Sequence, residues 1–392
     1  VQTCALPILG AYLGNTLKFD GLQIGSFFAT MGIASLFMPA VMGIIADRWI
    51  PAQRLLGLCH LFAAGFITLA ATRTDYNSLY TLVLLSVMFY MPTIALSNSV
   101  AYNALEKAGL DTVTHFPPIR VWGTVGFICA MWVVDLGKMG LSATQLYFSA
   151  TLGLILGLYS FTLPNCPINR SGGGKSIVDL LGLRAFALFK QRKMAIFFIF
   201  SMLLGMSLQI TNAFADGYIK SFGDTGIHGA KYLGTFGVEH STILISLSQI
   251  SETLCILLIP FFLKRFGIKR VMLIAMFAWV LRFALLGAGN PGPGVWMFIL
   301  SMIVYGVAFD FFNISGSLFV EKETSAAIRS SAQGVFMIMT NGLGALIGSY
   351  LAGWVVNHYG WPLSWYLFAG FSLVVAIVFA VIFKYKHDPN RI

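Results

Sequence analysis

Long uncharged stretches of apolar residues constrain this chain more than any motif. With a window of about 19 residues, which suits transmembrane helices, they are found almost throughout the 392 residues. The stretches cover residues 24–46, 54–72, 78–102, 116–134, 145–163, 193–215, 240–263, 271–287, 295–320, 327–353 and 362–383. Since about 20 apolar residues cross a bilayer as a helix, they predict an all-α membrane protein. With 57% hydrophobic and 10% charged residues, a soluble enzyme or a disordered chain is excluded.

A further apolar segment, residues 1–13, precedes these stretches. It is too short to cross the hydrocarbon as a helix, and it has neither an initiator methionine nor the basic start of a signal peptide. We therefore expect it to be the remaining part of a truncated first helix. Counted in this way, the chain has twelve predicted transmembrane helices.

The distribution of basic residues determines what the net charge of +10 means. With residues 1–13 as the first helix, 18 of the 25 Lys and Arg residues lie in the even-numbered loops and the C-terminal tail, against five in the odd-numbered loops. The positive-inside rule places the richer side, and with it both termini, in the cytoplasm. The charge therefore predicts orientation in the bilayer and not binding to nucleic acid.

One long connection, residues 164–192, separates six predicted helices from six. Its Gly174-Lys175-Ser176 sequence matches part of a phosphate-binding loop, but Asn169 stands where that motif needs its first glycine and no strand precedes it. We divide the chain into an N-terminal bundle, residues 1–163, a cytoplasmic connection, and a C-terminal bundle, residues 193–392. This is the outline of a major facilitator transporter.

The segment Gly43-Ile-Ile-Ala-Asp47-Arg48 resembles the signature that major facilitator proteins carry between their second and third helices, although the later glycine is absent. We expect Gly43 to permit close approach of another helix. Asp47 and Arg48 are expected to pair with a neighbouring helix in one gating state. An ordinary pair of interfacial charges is the alternative interpretation.

Charged residues inside the apolar stretches are the first candidates for function, because a central Asp, Lys or Arg costs about 2.5–3.5 kcal/mol. Arg120, Glu252, Asp310 and Arg282 are such residues. For Arg282, which lies near the end of its stretch, we favour a side chain that reaches out to the interface. The cysteines and histidines have no metal-binding spacing, so we expect no metal and no cofactor.

Helical spacing groups polar and aromatic residues on four predicted helices, because positions three, four or seven apart share a face. The groups are Arg120, Thr124 and Phe127 on the fifth helix, Gln209 and Asn212 on the seventh, Gln249 and Glu252 on the eighth, and Tyr305 and Phe309, with Asp310 and Asn313 beside them, on the tenth. A ligand suited to these faces has several hydrogen-bonding edges and a flat apolar face. Hydrogen bonding between helices is the alternative for any single amide, and we favour it for Asn313.

Longer strings make the chain similar to the bacterial nucleoside:proton symporters, a branch of the major facilitator superfamily. The most specific strings include Phe116-Pro-Pro-Ile-Arg120-Val-Trp122-Gly-Thr124, Leu208-Gln209-Ile-Thr-Asn212, Ser248-Gln249-Ile-Ser-Glu252 and Tyr305-Gly-Val-Ala-Phe309-Asp310. The resemblance extends from Leu17 to His387. It implies uptake of purine and pyrimidine nucleosides with protons across the inner membrane, by alternating access and without a covalent step. We expect the transporter to be a monomer.

The resemblance also implies roles for individual residues. The nucleoside site is implied to consist of Arg120, Thr124, Phe127, Gln209, Asn212, Gln249, Glu252, Tyr305 and Phe309. Asp310 is implicated in proton coupling or conformational control, and Glu252, as a partly buried carboxylate, is a second candidate proton carrier. A major facilitator porter for a sugar or an organic anion is the alternative function. An enzyme is excluded because the sequence has no GxSxG or HExxH motif.

Overall fold

The computed structural model describes residues 5–110, 112–166, 183–224, 230–324 and 329–385. Within these ranges all regular structure is helical. The main helices are α1 (Ala5–Ala11), α2 (Gly21–Arg48), α3 (Ala52–Ala70), α4 (Tyr76–Lys107), α5 (Thr112–Leu136), α6 (Thr144–Ser160), α7 (Arg192–Ser221), α8 (Ser241–Ala288), α9 (Val295–Glu323), α10 (Arg329–Met337) and α11 (Ala345–Ile382). Shorter helical segments are Tyr12–Thr16, Leu183–Lys190, Phe236–Glu239 and Ile338–Gly344.

Two of these helices change direction at a glycine. Gly267 in α8 has φ 76° and Gly360 in α11 has φ 70°, a backbone conformation that glycine adopts readily and other residues avoid. The break in α8 lies between the predicted stretches 240–263 and 271–287, and the break in α11 between 327–353 and 362–383. Each of these long helices therefore consists of two parts that run in different directions.

The helices are apolar enough for a membrane. In the described part of the chain, seven helical stretches combine sufficient length and hydropathy to cross a bilayer. The predicted class, an all-α membrane protein with several spans, is confirmed.

Helix packing occurs within and between the two halves of the chain. In the first half, α3 packs against α4 and α6, and α2 packs against α4. In the second half, α8 packs against α9 and α11, and α7 packs against α11. The halves meet where α2 contacts α11, where α5 contacts α8 and where α1 contacts α7.

The contact between α2 and α11 depends on small residues. A Cβ atom added to Gly25 would lie 2.3 Å from the carbonyl oxygen of Ser349, and one added to Gly353 would lie 2.2 Å from that of Gly21. The Gly21 amide also donates a hydrogen bond to Asn357 Oδ1. The two backbones are thus as close as they can come, as in membrane helix pairs built on small residues.

The expected close approach at Gly43 is wrong. Within the described part of the chain, a Cβ atom on Gly43 would meet no atom within 4 Å. The glycines of α2 that do contact another helix closely lie nearer its N-terminus. Arg48 is exposed at the end of α2, and the side chain of Asp47 lies outside the described residues, so their pairing stays a prediction.

Candidate functional site

Four helices surround a small cavity of about 40 Å³. The wall contains one predicted site residue from each helix: Phe127 on α5, Asn212 on α7, Gln249 on α8 and Tyr305 on α9. The structure therefore brings together aromatic and amide side chains that are far apart in the sequence. The cavity also contacts Thr211 and Ser248, whose hydroxyl groups add to its polar lining.

Aromatic rings form one side of this site. The rings of Tyr305 and Phe309, one turn apart on α9, are nearly parallel, with an interplanar angle of 8° and centroids 5.7 Å apart. Trp279 meets Tyr305 edge to face at 6.0 Å. Phe309 lines a second, smaller cavity together with Asn313. The stacked pair thus extends from one cavity to the other, and it offers the flat apolar surface that the sequence predicted.

The remaining predicted site residues are not in the described wall of this cavity. Thr124 is half-buried one turn before Phe127, and Glu252 is half-buried one turn after Gln249. Gln209 is buried, and its Nε2 lies 3.4 Å from the carbonyl oxygen of Phe28 on α2. Arg120 belongs to α5, but its side chain lies outside the described residues.

Asp310 is buried in α9, with 4% of its surface exposed. Among the described residues, its Oδ2 atom is buried and has no hydrogen-bond partner. A buried carboxylate without partners is costly, so Asp310 is a strong candidate for a functional group. Its neighbour Phe309 faces the second cavity.

Two predictions about polar residues near the site are wrong. Arg282 does not reach the interface, because it is only 1% exposed and lines the first cavity. The helix containing it is covered by α9, and the Ser301 carbonyl oxygen lies 2.6 Å from its Nη1. Among the described residues, Asn313 bonds within its own helix, to the carbonyl oxygen of Phe309, and not to another helix.

Sequence reasoning therefore missed Arg282 as a residue of the site. The available signal was its position inside an apolar stretch, where a charge is expensive. The position of Arg282 near the end of that stretch favours the interface only weakly. Whether the guanidinium is buried depends on the polar partners available to it. Those partners come from other helices, and the sequence does not show which helices are adjacent.

Charged groups are also found towards the end of the cavity where α5 ends and α8 begins. Asp216 lines the cavity, and its carboxylate lies 2.9 Å from Lys220 Nζ and accepts a hydrogen bond from the hydroxyl of Ser241. The Nδ1 atom of His240 lies 2.6 Å from Asp135 Oδ2. This second pair connects α5 to the start of α8, and so joins the two halves of the chain beside the cavity.

Comparison with known proteins identifies the family of the chain. The profile of the family "Nucleoside H+ symporter" matches residues 3–388. The chain belongs to the nucleoside H+ symporter family. The family predicted from the sequence is confirmed, and so is the prediction that the protein is a transporter of nucleosides with protons and not an enzyme.

Individual relatives resemble this symporter over nearly its full length. Nucleoside permease NupG of Escherichia coli (strain K12) is 51% identical over 389 residues, covering 97% of this chain and 92% of the relative. The xanthosine permease of the same organism is 50% identical over 394 residues, covering 99% and 93%. A crystal structure of a mutant of the nucleoside transporter NupG matches with a TM-score of 0.94 at 50% identity, covering 98% of this chain and 97% of that chain.

Proposed function

We propose that this symporter binds nucleosides at the cavity between α5, α7, α8 and α9 and carries them with protons across the bacterial inner membrane. The observation that carries the proposal is the convergence of Phe127, Asn212, Gln249 and Tyr305 from four helices on one cavity. Aromatic rings stack on nucleobases of any identity. Amide side chains both donate and accept hydrogen bonds, as base edges and ribose hydroxyls require.

The proposed site contains all nine residues implied by the family resemblance. They are Arg120, Thr124, Phe127, Gln209, Asn212, Gln249, Glu252, Tyr305 and Phe309. Phe127, Tyr305 and Phe309 hold the base, while the amides bind its edges. Glu252 lies one turn from Gln249 on the same face of α8, so its carboxylate is directed to the same site. There it accepts hydrogen bonds from ribose hydroxyls.

Glu252 and Asp310 are the proposed proton-coupling residues. Both carboxylates lie on helices of the substrate site, and Asp310 has a buried oxygen without a partner among the described residues. Membrane-embedded carboxylates commonly serve proton relays in transporters, because only a functional cycle compensates for their cost. Protonation of Asp310 removes a buried charge. The carrier loaded with nucleoside and proton then changes conformation without a charged carboxylate in its interior.

Alternating access follows from the size of the cavity. Pockets for small organic ligands measure about 300–1,000 Å³, whereas the cavity here measures about 40 Å³. A nucleoside therefore enters only when helices of the two halves move apart. We propose that the moving bodies are two six-helix bundles, residues 1–163 and 193–392, connected by residues 164–192. The first of the twelve proposed transmembrane helices includes residues 1–13.

The proposed orientation places both termini in the cytoplasm. In this orientation two contacts lie towards the outer face of the membrane: that between α2 and α11, and that between α5 and α8. They close the path from the outside to the cavity. Towards the cytoplasm, a wide, shallow depression is lined by Asn98, Tyr102 and Glu106 near the end of α4. Together with the closed outer contacts, this depression supports a carrier that is open to the inside. Asp47 and Arg48, at the cytoplasmic end of α2, are the proposed gate residues. The transporter is proposed to be a monomer in the lipid bilayer.

Uptake measurements test this function. Cells that lack their own nucleoside carriers and express this protein should accumulate labelled uridine and adenosine, and an uncoupler should abolish accumulation. The Asp310→Asn variant should lose accumulation but still exchange internal for external nucleoside, because it keeps the size of the side chain and cannot release a proton. Accumulation that persists with the uncoupler and is unaffected by external pH between about 5 and 8 would reject proton coupling.

A further inference from the structure

Arg282 is a fully buried cation that the proposed transport mechanism does not use. Among the described residues, the ion pairs with a nitrogen–oxygen distance up to 4.0 Å do not include it. A buried charge without an opposite charge is costly unless hydrogen bonds and polarisable groups surround it. The contacts of its guanidinium group therefore indicate what the residue does.

These contacts connect three helices at one level of the bundle. Nη1 donates to the carbonyl oxygen of Ser301 on α9 at 2.6 Å, and the Ser301 hydroxyl donates to the carbonyl oxygen of Arg282 at 3.1 Å. Nε donates to the hydroxyl of Thr211 on α7 at 3.4 Å. Thr211 immediately precedes Asn212, and Ser301 lies one turn before Tyr305. Arg282 thus fixes the relative heights of the two helices that provide those site residues.

The guanidinium group also lies on an aromatic ring of the site. Its central carbon is 4.6 Å from the ring centroid of Tyr305, well within the range of a cation–π contact. Tyr305 in turn stacks on Phe309. Because the ring of Trp279 also meets that of Tyr305 at a right angle, the orientation of Tyr305 is defined by both Arg282 and Trp279.

We propose that Arg282 is a positioning residue of the nucleoside site, holding Tyr305, and through it Phe309, in the orientation that stacks on the base. The inference rests on the proposed function, since it assumes that nucleosides bind at this cavity. A planar guanidinium can cover the ring and donate to Ser301 and Thr211 at the same time. A lysine ammonium is a compact charge without this fork, so it cannot replace the arginine.

A double-mutant cycle on purified protein tests the inference, with labelled uridine and adenosine as probes. Arg282→Met should weaken the binding of both nucleosides about 10-fold, which is the loss in affinity expected when a desolvated cation–π contact is removed. Tyr305→Leu should weaken binding by a similar factor. The double variant should bind no more weakly than Tyr305→Leu, within about 2-fold. Multiplied losses, about 100-fold together, would overturn the proposal, because Arg282 would then act independently of Tyr305.

Two further variants separate positioning from a general effect on folding. Val271→Ala changes a residue that is also fully buried in the same helix but lies about three turns from Arg282. It should lower thermal stability and leave nucleoside affinity of the folded fraction unchanged. If Arg282→Met does not fold, Arg282→Lys takes its place in the cycle, with an expected loss of about 5-fold. Wild-type affinity in Arg282→Lys would overturn the inference.

The same experiment distinguishes failure of the inference from failure of the proposed site. If the wild-type protein binds nucleosides and the losses multiply, the role of Arg282 is wrong while the site stands. If Tyr305→Leu binds as tightly as the wild-type protein, the proposed site is wrong at that residue and the inference falls with it.

Discussion

Helices α2 and α11 meet through their backbones, whereas α5 and α8 meet through side chains. In the first contact, here the glycine seam, Gly21, Gly25 and Gly353 leave no room for even one added methyl group. In the second, here the polar seam, His240 lies beside Asp135, and the Trp132 indole donates a hydrogen bond to the hydroxyl of Ser246. Both seams join the first half of the chain to the second.

The difference indicates how the two seams contribute to transport. A backbone contact between small residues is either formed or lost, because no side chain can adjust to partial separation. Hydrogen bonds between side chains can break and re-form individually, at about 0.6 kcal/mol each on average in membrane proteins. We therefore expect the glycine seam to require close fit and the polar seam to tolerate single changes.

The largest effect is expected at the glycine seam. In Gly353→Ala the new Cβ atom would lie 2.2 Å from the carbonyl oxygen of Gly21, so the helices must separate. We expect loss of uptake and destabilisation of about 1–3 kcal/mol, as for other overpacked sites. Thermal unfolding and uridine uptake measure the two effects.

Gly370→Ala is the matched control on the same helix. There a Cβ atom meets nothing within 4 Å in the described part of the chain. Alanine in a helix interior is more favourable than glycine by about 0.5–1 kcal/mol, so stability should be unchanged or slightly higher. Equal effects of the two substitutions would contradict the importance of close fit at the glycine seam.

The next effect concerns the cavity that the polar seam adjoins. Phe127→Ala removes an aromatic ring from the α5 side of the wall, and loss of a base-stacking surface costs about 1–3 kcal/mol, or roughly 5- to 150-fold in affinity. The loss should be similar for uridine and adenosine, because stacking depends little on base identity. Binding to the purified protein measures it. A loss confined to one nucleoside would assign Phe127 to recognition of a base edge instead.

Much of the fold was predictable because it depends on local properties of the sequence. Apolar stretches predicted where the helices lie, and the two breaks at Gly267 and Gly360 fall between predicted stretches. The glycine seam was not predictable in the same way. Glycines are frequent in this chain, and whether one contacts a backbone, as Gly25 does, or open space, as Gly43 does, depends on which helices are neighbours.

The candidate site was predictable in part for a similar reason. Helical spacing identified Asn212, Gln249 and Tyr305 as face residues, and these side chains do line one cavity. The sequence predicts Arg282 at the interface because it lies near the end of an apolar stretch, whereas its actual partners, Ser301 and Thr211, are 19 and 71 residues away in sequence. No periodicity within one helix reports contacts of that kind.

A smaller effect is expected at the pair of His240 and Asp135 in the polar seam. The side chain of His240 is 32% exposed and that of Asp135 only 2%, and a hydrogen-bonded pair of this kind should contribute about 1 kcal/mol. Asp135→Asn removes the carboxylate of this pair. It should raise, by up to about 5-fold, the population of molecules in which the end of α5 is separated from the start of α8. Distances between spin labels at the exposed positions 136 and 233 report this shift. Glu239→Gln, an exposed carboxylate beside His240, is the control, and an equal shift in that variant would exclude a specific role of the pair.

The smallest effect is expected for the hydrogen bond between Trp132 and Ser246, which are 2.8 Å apart. The Ser246 hydroxyl also donates to the carbonyl oxygen of Ile243, so the loss of the indole leaves no buried hydroxyl unpaired. Trp132→Phe, Ser246→Ala and the double variant should therefore give a coupling energy of about 0.6 kcal/mol in thermal unfolding, the average for such bonds in membrane proteins. Trp122→Phe, at a more exposed position of the same helix, controls for the change in ring size. A coupling energy of about 1–3 kcal/mol would be as large as the destabilisation expected for Gly353→Ala at the glycine seam. The polar seam would then be as intolerant of change as the glycine seam, and the proposed division of roles between the two seams would be wrong.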